Sequence, residues 1–91
     1  MADVRAHVRI YGRVQGVFYR ANTRDQAKSK DLNGWVKNLS YGSVEAVFEG
    51  EKESVQELVD WTYEGSPAAN VKDVEVEWED PKGLEGFEIK Y

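Results

Sequence analysis

The chain has 91 residues, 41% of them hydrophobic, with no cysteine and a net charge of −5; together these predict one small domain over residues 1–91, folded without disulfide bonds. The composition argues against disorder, and no apolar run approaches the ~20 residues that a membrane helix needs. Because the N-terminus also lacks the basic and apolar regions of a secretion signal, we expect a soluble, cytoplasmic protein.

The first predicted strand covers residues 4–11, where apolar side chains alternate with polar ones. A loop follows it. Residues 20–30 contain no glycine or proline and predict a helix with a thin apolar face made chiefly of Ala21, Thr23 and Ala27. Asn33 and Gly34 are expected to end this helix.

Two antiparallel strands and a second helix come next. Residues 35–39 and 43–49 predict neighbouring strands, because residues 40–42 form a short glycine-containing connection of the hairpin type. The second helix begins near Glu51, and Gly65 suits the position just past its end. Its apolar face follows the helical spacing i, i+3, i+4, i+7, at Val55, Leu58, Val59 and Thr62.

Two more strands complete the predicted fold. Residues 74–79 alternate apolar side chains with glutamates, and residues 87–91 predict a short fifth strand. The order βαββαβ predicts an α+β, ferredoxin-like sandwich: a mostly antiparallel sheet with two helices on one face and a short C-terminal fifth strand. Right-handed crossovers place the first and third strands side by side at the sheet centre.

The segment GRVQGVFYR, residues 12–20, joins the first strand to the first helix. Backbone N–H groups of a tight glycine-containing loop and of a helix N-terminus can converge on a phosphate, and an arginine can hold it with two parallel hydrogen bonds. Arg20 stands where that arginine is needed, and a cation at a helix N-terminus opposes the helix dipole unless an anion is bound there. The segment therefore predicts an anion site.

Two other phosphate-binding loops do not fit this segment. The P-loop of nucleotide hydrolases needs lysine and serine or threonine after its second glycine, whereas Gly16 is followed by Val17. A phosphatase that forms a phosphocysteine needs cysteine separated from the arginine by five residues, and that position holds Val14. If the loop hydrolyses a substrate, it must orient water directly.

Charge is distributed unevenly along the chain. Residues 1–30 carry seven basic side chains against two acidic ones, whereas residues 43–91 carry 14 acidic side chains against four lysines. The unevenness is either ordinary surface charge or a field that favours a small anion near the loop. Since the acidic remainder would repel a long polyanion, we expect no nucleic-acid partner.

At this point the sequence resembles the acylphosphatase family over nearly its full length. Residues 12–20 look like the phosphate loop of that family. GWVKN at residues 34–38, followed by GSVE at residues 42–45, looks like its second motif. The resemblance implies hydrolysis of acyl phosphates to a carboxylate and inorganic phosphate, without metal, cofactor or membrane. We expect the chain to act as a monomer.

The resemblance also implies roles for particular residues. Arg20 would bind the phosphate and Asn38 would hold the attacking water. The backbone of residues 15–19 would cradle the phosphoryl oxygens, through Gln15, Gly16, Val17, Phe18 and Tyr19. These roles are chemically sufficient, because a carboxylate leaving group with a pKa near ~4 departs without a general acid. Phosphoryl transfer then needs mainly positioning and charge stabilisation.

Two positions depart from the usual pattern of the family. Tyr41 replaces the aspartate that usually precedes the turn glycine, so the hairpin beside Asn38 is expected to use another turn type. Phe18 stands where many members have glycine and others an aromatic residue, so its side chain is expected to narrow or cover the pocket.

Two alternative functions remain open from the sequence. An RNA-binding module shares this architecture, with Tyr11 and Phe48 as its candidate stacking residues, although the chain lacks the RNA-recognition segment. A phosphate-binding module without turnover is the other. His7 is assigned no role, and Glu75, Glu77 and Glu79 are interpreted as a solvated face.

Overall fold

A computed structural model describes residues 3–91, and it has the predicted order of elements. A 3₁₀ turn at Ser40–Gly42 joins β2 to β3. Most element ends lie within two residues of their predicted positions, but β4 begins four residues early, at Asn70. The elements are β1 (Asp3–Arg13), α1 (Tyr19–Ser29), β2 (Asn33–Asn38), β3 (Val44–Glu51), α2 (Lys52–Thr62), β4 (Asn70–Glu79) and β5 (Phe87–Lys90).

The five strands form one sheet in the order β4-β1-β3-β2-β5. β1 is antiparallel to both β3 and β4, and β2 is antiparallel to β3. β5 is added at the edge, parallel to β2. The ferredoxin-like α+β prediction is confirmed, including the central pairing of the first and third strands.

Both helices pack on one face of the sheet, where alternate residues of the strands are buried. Ala6, Val8 and Ile10 of β1 are fully buried, as are Val55 and Leu58 of α2. Each buried valine or leucine side chain contributes roughly 1.5–3 kcal/mol relative to an exposed one. The thin face predicted for α1 is confirmed at Thr23 and Ala27, but its third buried residue is Tyr19, and Ala21 is only half-buried.

The end of α1 differs from the prediction. The helix ends at Ser29 and the chain reverses at Asp31, which has a left-handed φ of 54°. Leu32 N–H then donates to the Ala27 carbonyl at 2.9 Å. Asn33 and Gly34 belong to β2 instead. Gly34 is needed there because a Cβ would lie 1.8 Å from the carbonyl oxygen of Val47, which no side chain can tolerate.

The face of the sheet away from the helices carries a buried ion-pair cluster beside solvated glutamates. Of the three β4 glutamates predicted to be solvated, two are exposed, and the third, Glu79, is half-buried and paired. Arg5 Nη1 lies 2.6 Å from Glu49 Oε2, and Arg5 Nε lies 2.9 Å from Glu79 Oε1. Glu49 also accepts backbone hydrogen bonds from Lys82 and Leu84. The carboxylate of Glu49 therefore holds the loop between β4 and β5 against this face of the sheet.

The same contacts shift the ionisation of Glu49. Burial alone would raise the pKa of its carboxyl group, but the hydrogen bonds donated by Lys82, Arg5 and Leu84 outweigh burial and hold that pKa below its ordinary value. Glu49 is therefore a stabilising carboxylate at neutral pH.

Candidate active site

The loop between β1 and α1 forms one wall of a pocket of about 310 Å³. The last residue of β2 and the end of the chain after β5 form the other walls. Five of the seven residues singled out from the sequence line this pocket. The full lining is Val14, Gly16, Phe18, Tyr19, Arg20, Ala21, Asn38, Ile89 and Tyr91.

The loop leaves β1 through an irregularity in the strand. The register between β1 and β4 shifts at Tyr11 and Gly12, and Gly12 has φ +126°. A Cβ at Gly12 would lie 2.3 Å from the carbonyl oxygen of Asn70, so glycine is required for this close approach. The shift redirects the chain from the sheet into the loop.

Buried side chains and α2 hold the loop in place. Val14 and Val17 point into the core, where both are buried. The hydroxyl of Ser66, itself buried, donates to the Val17 carbonyl at 2.7 Å. The hydroxyl of Tyr19 donates to the Thr62 carbonyl at 2.8 Å. The loop is therefore attached to the segment at the end of α2 as well as to its own strand and helix.

The loop backbone and the start of α1 are suited to an anion. Gly16 and Phe18 both adopt left-handed conformations, with φ of 73° and 62°. Phe18 is the N-cap of α1, which has no side-chain cap and no acidic residue in its first turn. The first N–H groups of a helix lack partners within the helix and carry its partial positive charge. This end of α1 therefore offers backbone donors to a negatively charged group.

Arg20 lies in the first turn of α1 and reaches toward β5. Its Nη1 atom donates to the Lys90 carbonyl at 3.4 Å, and its Cζ atom lies 5.0 Å from the centre of the Tyr91 ring. A hydrogen bond of that length is weak, so the guanidinium can turn a bidentate pair of donors toward an anion in the pocket.

Asn38 is the last residue of β2, and its side chain lies on the helix-covered side of the sheet, in phase with Gly34 and Val36. Within residues 3–91, its Oδ1 is the one buried side-chain nitrogen or oxygen without a hydrogen-bond partner. Leaving such an atom unpaired costs roughly 1–3 kcal/mol. An unpaired oxygen in the wall of a pocket is suited to accept a hydrogen bond from a bound molecule.

The side chain of Gln15 has a role that the sequence did not reveal. Its Nε2 atom donates to the carbonyls of Leu39 and Ser43, each at 2.8 Å. These two carbonyls flank the turn that follows Asn38, and Leu39 N–H also donates to the Ser43 carbonyl at 2.8 Å. Gln15 therefore connects the loop to the strand end that carries Asn38.

Of the two interpretations of the uneven charge, the basic field near the loop does not extend to Arg5 and Arg9 of β1. Arg5 pairs with Glu49 and Glu79, and Arg9 Nε lies 3.7 Å from Glu45 Oε2, all on the face of the sheet away from the helices. Alternation along β1 puts these side chains opposite the core. Among the arginines of the first 24 residues, Arg20 is the one that lines the pocket.

The RNA-binding alternative loses one of its two candidate stacking residues. Phe48 is fully buried and packs on Phe87, with 6.1 Å between the ring centres. Tyr11 remains accessible, and its hydroxyl donates to Glu75 at 2.7 Å. The Glu75 carboxylate beside this ring would repel the phosphates of a nucleic acid, which disfavours stacking of a base on Tyr11.

Neither a metal cluster nor a membrane-spanning helix is found in the described part of the chain. Residues 3–91 contain no group of three or more histidine, cysteine, aspartate or glutamate side chains placed to hold a metal ion. No helix in that range is long and apolar enough to cross a membrane.

Known proteins match this chain in both sequence and fold. The sequence profile of the family described as Acylphosphatase matches residues 6–89. The chain belongs to the acylphosphatase family. Members of this family hydrolyse acyl phosphates to a carboxylate and inorganic phosphate. The resemblance seen in the two sequence motifs, and the prediction of an enzyme of this class, are therefore confirmed.

The similarity extends over whole chains. An acylphosphatase of Haloarcula marismortui is 57% identical over 91 residues and covers 100% of both chains. One of Natronomonas pharaonis is 56% identical over 91 residues and covers 99% of each. The structure of an acylphosphatase from Coxiella burnetii superposes with a TM-score of 0.94 at 40% identity, over 98% of this chain and 94% of that one.

Proposed function

We propose that this member of the acylphosphatase family hydrolyses its acyl phosphate by direct attack of a water molecule that Asn38 orients, with no covalent intermediate and no metal ion or cofactor. The observation that carries the proposal is the unpaired Oδ1 of Asn38 in the pocket that also contains Arg20. One residue can then hold the nucleophile while the other holds the phosphate.

Arg20 and the loop amides bind the phosphoryl group in this proposal. The amides of residues 15–19 surround its oxygens, and the guanidinium of Arg20 binds two of them. In phosphoryl transfer the charge spreads over the three equatorial oxygens, so donors fixed in advance stabilise the transition state at little cost in reorganisation. The attachments of the loop to Ser66 and Thr62 supply that rigidity.

The chemical step is one displacement at phosphorus. Oδ1 of Asn38 accepts a hydrogen bond from water, whose oxygen forms a bond to phosphorus on the side opposite the leaving group. The bond from phosphorus to the acyl oxygen breaks, and the carboxylate leaves with the electron pair. The phosphate itself accepts the proton of the water. No side chain has to act as a general acid, because the carboxylate is a stable anion.

The first experiment measures hydrolysis of benzoyl phosphate by the purified protein in the presence of EDTA. We expect turnover to survive chelation. We expect Asn38→Ala and Arg20→Ala to lower kcat/KM by about 100-fold or more, as removal of one oriented group does in other enzymes. Asn38→Ala should keep its affinity for inorganic phosphate, whereas Arg20→Ala should lose it. Arg24→Ala and Asn70→Ala, which change a half-buried and an exposed residue off the pocket, are matched controls.

A second measurement tests direct attack. A single turnover in heavy-oxygen water should place the label in phosphate and leave the carboxylate unlabelled, and rapid quenching should trap no phosphorylated protein. A trapped phosphoprotein, or full activity of Asn38→Ala, would exclude this mechanism. Phosphate binding without any turnover in the wild type would instead support the phosphate-binding module considered from the sequence.

We propose, finally, that the chain acts as a single monomeric domain. The family match spans residues 6–89, and the pocket is built by elements of one chain, so the site needs no second copy. Light scattering during size-exclusion chromatography tests the monomer, and activity in a fraction of higher mass alone would contradict it. A cytoplasmic location stays a prediction from the sequence.

A further inference from the structure

The mouth of the pocket carries three apolar side chains that phosphate binding does not explain. Phe18 is at the end of the loop, and Ile89 and Tyr91 come from β5 and the residue after it. We propose that these three side chains form a subsite for the acyl group, which makes the enzyme selective for acyl phosphates whose acyl group is aromatic or a branched hydrocarbon. This inference rests on the proposed function.

The size of the pocket is consistent with a whole acyl phosphate. Its volume of about 310 Å³ lies at the lower end of the range of roughly 300–1,000 Å³ that small-molecule sites cover. The polar lining side chains that the mechanism uses, Arg20 and Asn38, occupy part of the wall. The ring of Tyr91 lies under the Arg20 guanidinium, 5.0 Å from Cζ. An apolar surface therefore lies next to the group that binds the phosphate.

Phe18 lowers the stability of the folded protein, which argues that its side chain serves ligand binding. It holds a left-handed backbone, with φ 62° and ψ 23°, and such a conformation costs a residue with a Cβ roughly 1–2 kcal/mol. Phe18 is also 79% exposed, so it contributes little to the core. Glycine would avoid both costs. An apolar ring kept in water at the edge of a pocket gains stabilisation only when a ligand covers it.

Tyr41 provides an internal control for this argument. It too is a fully exposed aromatic residue with a left-handed backbone, at φ 70°, but it does not line the pocket. If removing an exposed ring from a left-handed residue changes kcat/KM in a general way, the substitution at Tyr41 will show the same change. An effect on substrate choice should appear at Phe18 alone.

The experiment compares kcat/KM for benzoyl phosphate and acetyl phosphate in four proteins: wild type, Phe18→Asn, Phe18→Tyr and Tyr41→Asn. Asparagine tolerates the left-handed backbone, so Phe18→Asn removes the ring and preserves the loop. For each variant, kcat/KM for benzoyl phosphate is divided by kcat/KM for acetyl phosphate. This ratio is then divided by the wild-type ratio, which cancels the intrinsic reactivity of the two substrates. We expect Phe18→Asn to lower this ratio about 10-fold, as loss of an apolar pocket contact does. Phe18→Tyr and Tyr41→Asn should leave it within about twofold of wild type.

Three outcomes would overturn the subsite. One is an unchanged ratio in Phe18→Asn, and another is an equal fall in Tyr41→Asn. The third is a gain by Phe18→Asn on both substrates, which would mean that the ring only covers the pocket.

A binding measurement separates failure of the subsite from failure of the proposed function. If wild type turns over neither substrate, the proposed function has failed. Affinities for the inert analogues benzoylphosphonate and acetylphosphonate then still test the subsite. Tighter binding of benzoylphosphonate that depends on Phe18 supports it, and equal binding of the two analogues excludes it.

Discussion

The side chain of Gln15 donates a hydrogen bond of 2.8 Å to the carbonyl of Leu39, the residue that follows Asn38. The same Nε2 atom donates a second bond of 2.8 Å to the carbonyl of Ser43, at the other end of the turn. In the proposed mechanism, phosphoryl transfer depends on the placement of water relative to phosphate. The two bonds connect the loop proposed to bind phosphate to the residue next to Asn38, which is proposed to orient the water. Gln15 is therefore expected to position Asn38 rather than to touch the substrate with its side chain.

Replacing Gln15 with leucine should lower kcat by about 10- to 100-fold, because a shift of ~1 Å in a reacting group has an effect of that size. Leucine fills similar space but donates no hydrogen bond, and the Gln15 backbone N–H is retained. The inhibition constant of inorganic phosphate should therefore stay near its wild-type value. Steady-state kinetics with phosphate as a competitive inhibitor measures both. Gln56→Leu, at an exposed position of α2, is the control. Equal losses of kcat and of phosphate affinity would assign Gln15 to loop folding alone.

Much of the fold and site was predictable because it depends on local pattern. Alternation along β1 predicted its buried face, and the helical spacing of Val55, Leu58 and Val59 predicted α2. The loop between β1 and α1 and the motif around Asn38 contain residue types suited to bind phosphate and water. These two segments were predicted from the sequence, and both line the pocket. The topology then followed from the order of elements, since the connections allow few arrangements.

What the sequence could not predict depends on contacts between distant residues. The partners of Gln15 lie 24 and 28 positions away, and no nearby residue indicates them. Counting charges along the chain grouped Arg5 and Arg9 with Arg20, although alternation in a strand places the first two opposite the core, among the acids of β3 and β4. Glu49 similarly gave no sign that it would hold the β4–β5 loop, because its donors are 33 and 35 residues away.

We expect Asn38 to be needed for turnover and to lower the free energy of unfolding. Its Oδ1 is buried without a partner, and replacing such a group by an apolar one of similar shape is neutral or stabilising. We expect Asn38→Leu to abolish turnover and to keep or raise the free energy of unfolding, by up to ~1–3 kcal/mol. Urea denaturation measures the change.

The matched substitution for Asn38→Leu is Asn33→Leu on the same strand. Oδ1 of Asn33 accepts the Gly86 N–H at 2.9 Å, so this variant should be destabilised. If Asn38→Leu proved as destabilised as Asn33→Leu, the Asn38 side chain would be contributing to the fold as a satisfied polar group.

Ser66 should control how tightly the loop binds phosphate. Its buried hydroxyl donates to the Val17 carbonyl at 2.7 Å, so Ser66→Ala removes a bond worth roughly 0.5–1.5 kcal/mol and leaves the carbonyl unpaired. We expect a lower urea midpoint and weaker phosphate binding by calorimetry. Ser29→Ala, which removes an exposed hydroxyl that bonds within α1, should change neither. An unaltered phosphate affinity in Ser66→Ala would show that the loop keeps its shape without this attachment.

Acid should destabilise the protein through Glu49. Because the folded state holds the pKa of this carboxyl group below its ordinary value of 4.5, ionised Glu49 stabilises the fold fully above pH 4.5. That contribution disappears as the pH falls through the lower pKa of the folded state. Urea unfolding between neutral pH and about pH 3 measures the loss.

The variant Glu49→Gln isolates this contribution from that of other acids. It removes one of the two carboxylates that pair with Arg5, whose side chain is 8% exposed and whose bond to Glu79 remains, so we expect a loss of about 1–3 kcal/mol at neutral pH. The gap between wild type and Glu49→Gln should narrow as the pH falls, because the wild type then protonates the same group. Glu57→Gln, on the exposed face of α2, should follow the wild type at every pH. A gap between wild type and Glu49→Gln that stayed constant from neutral pH to pH 3 would mean that the Glu49 carboxylate does not carry the acid dependence.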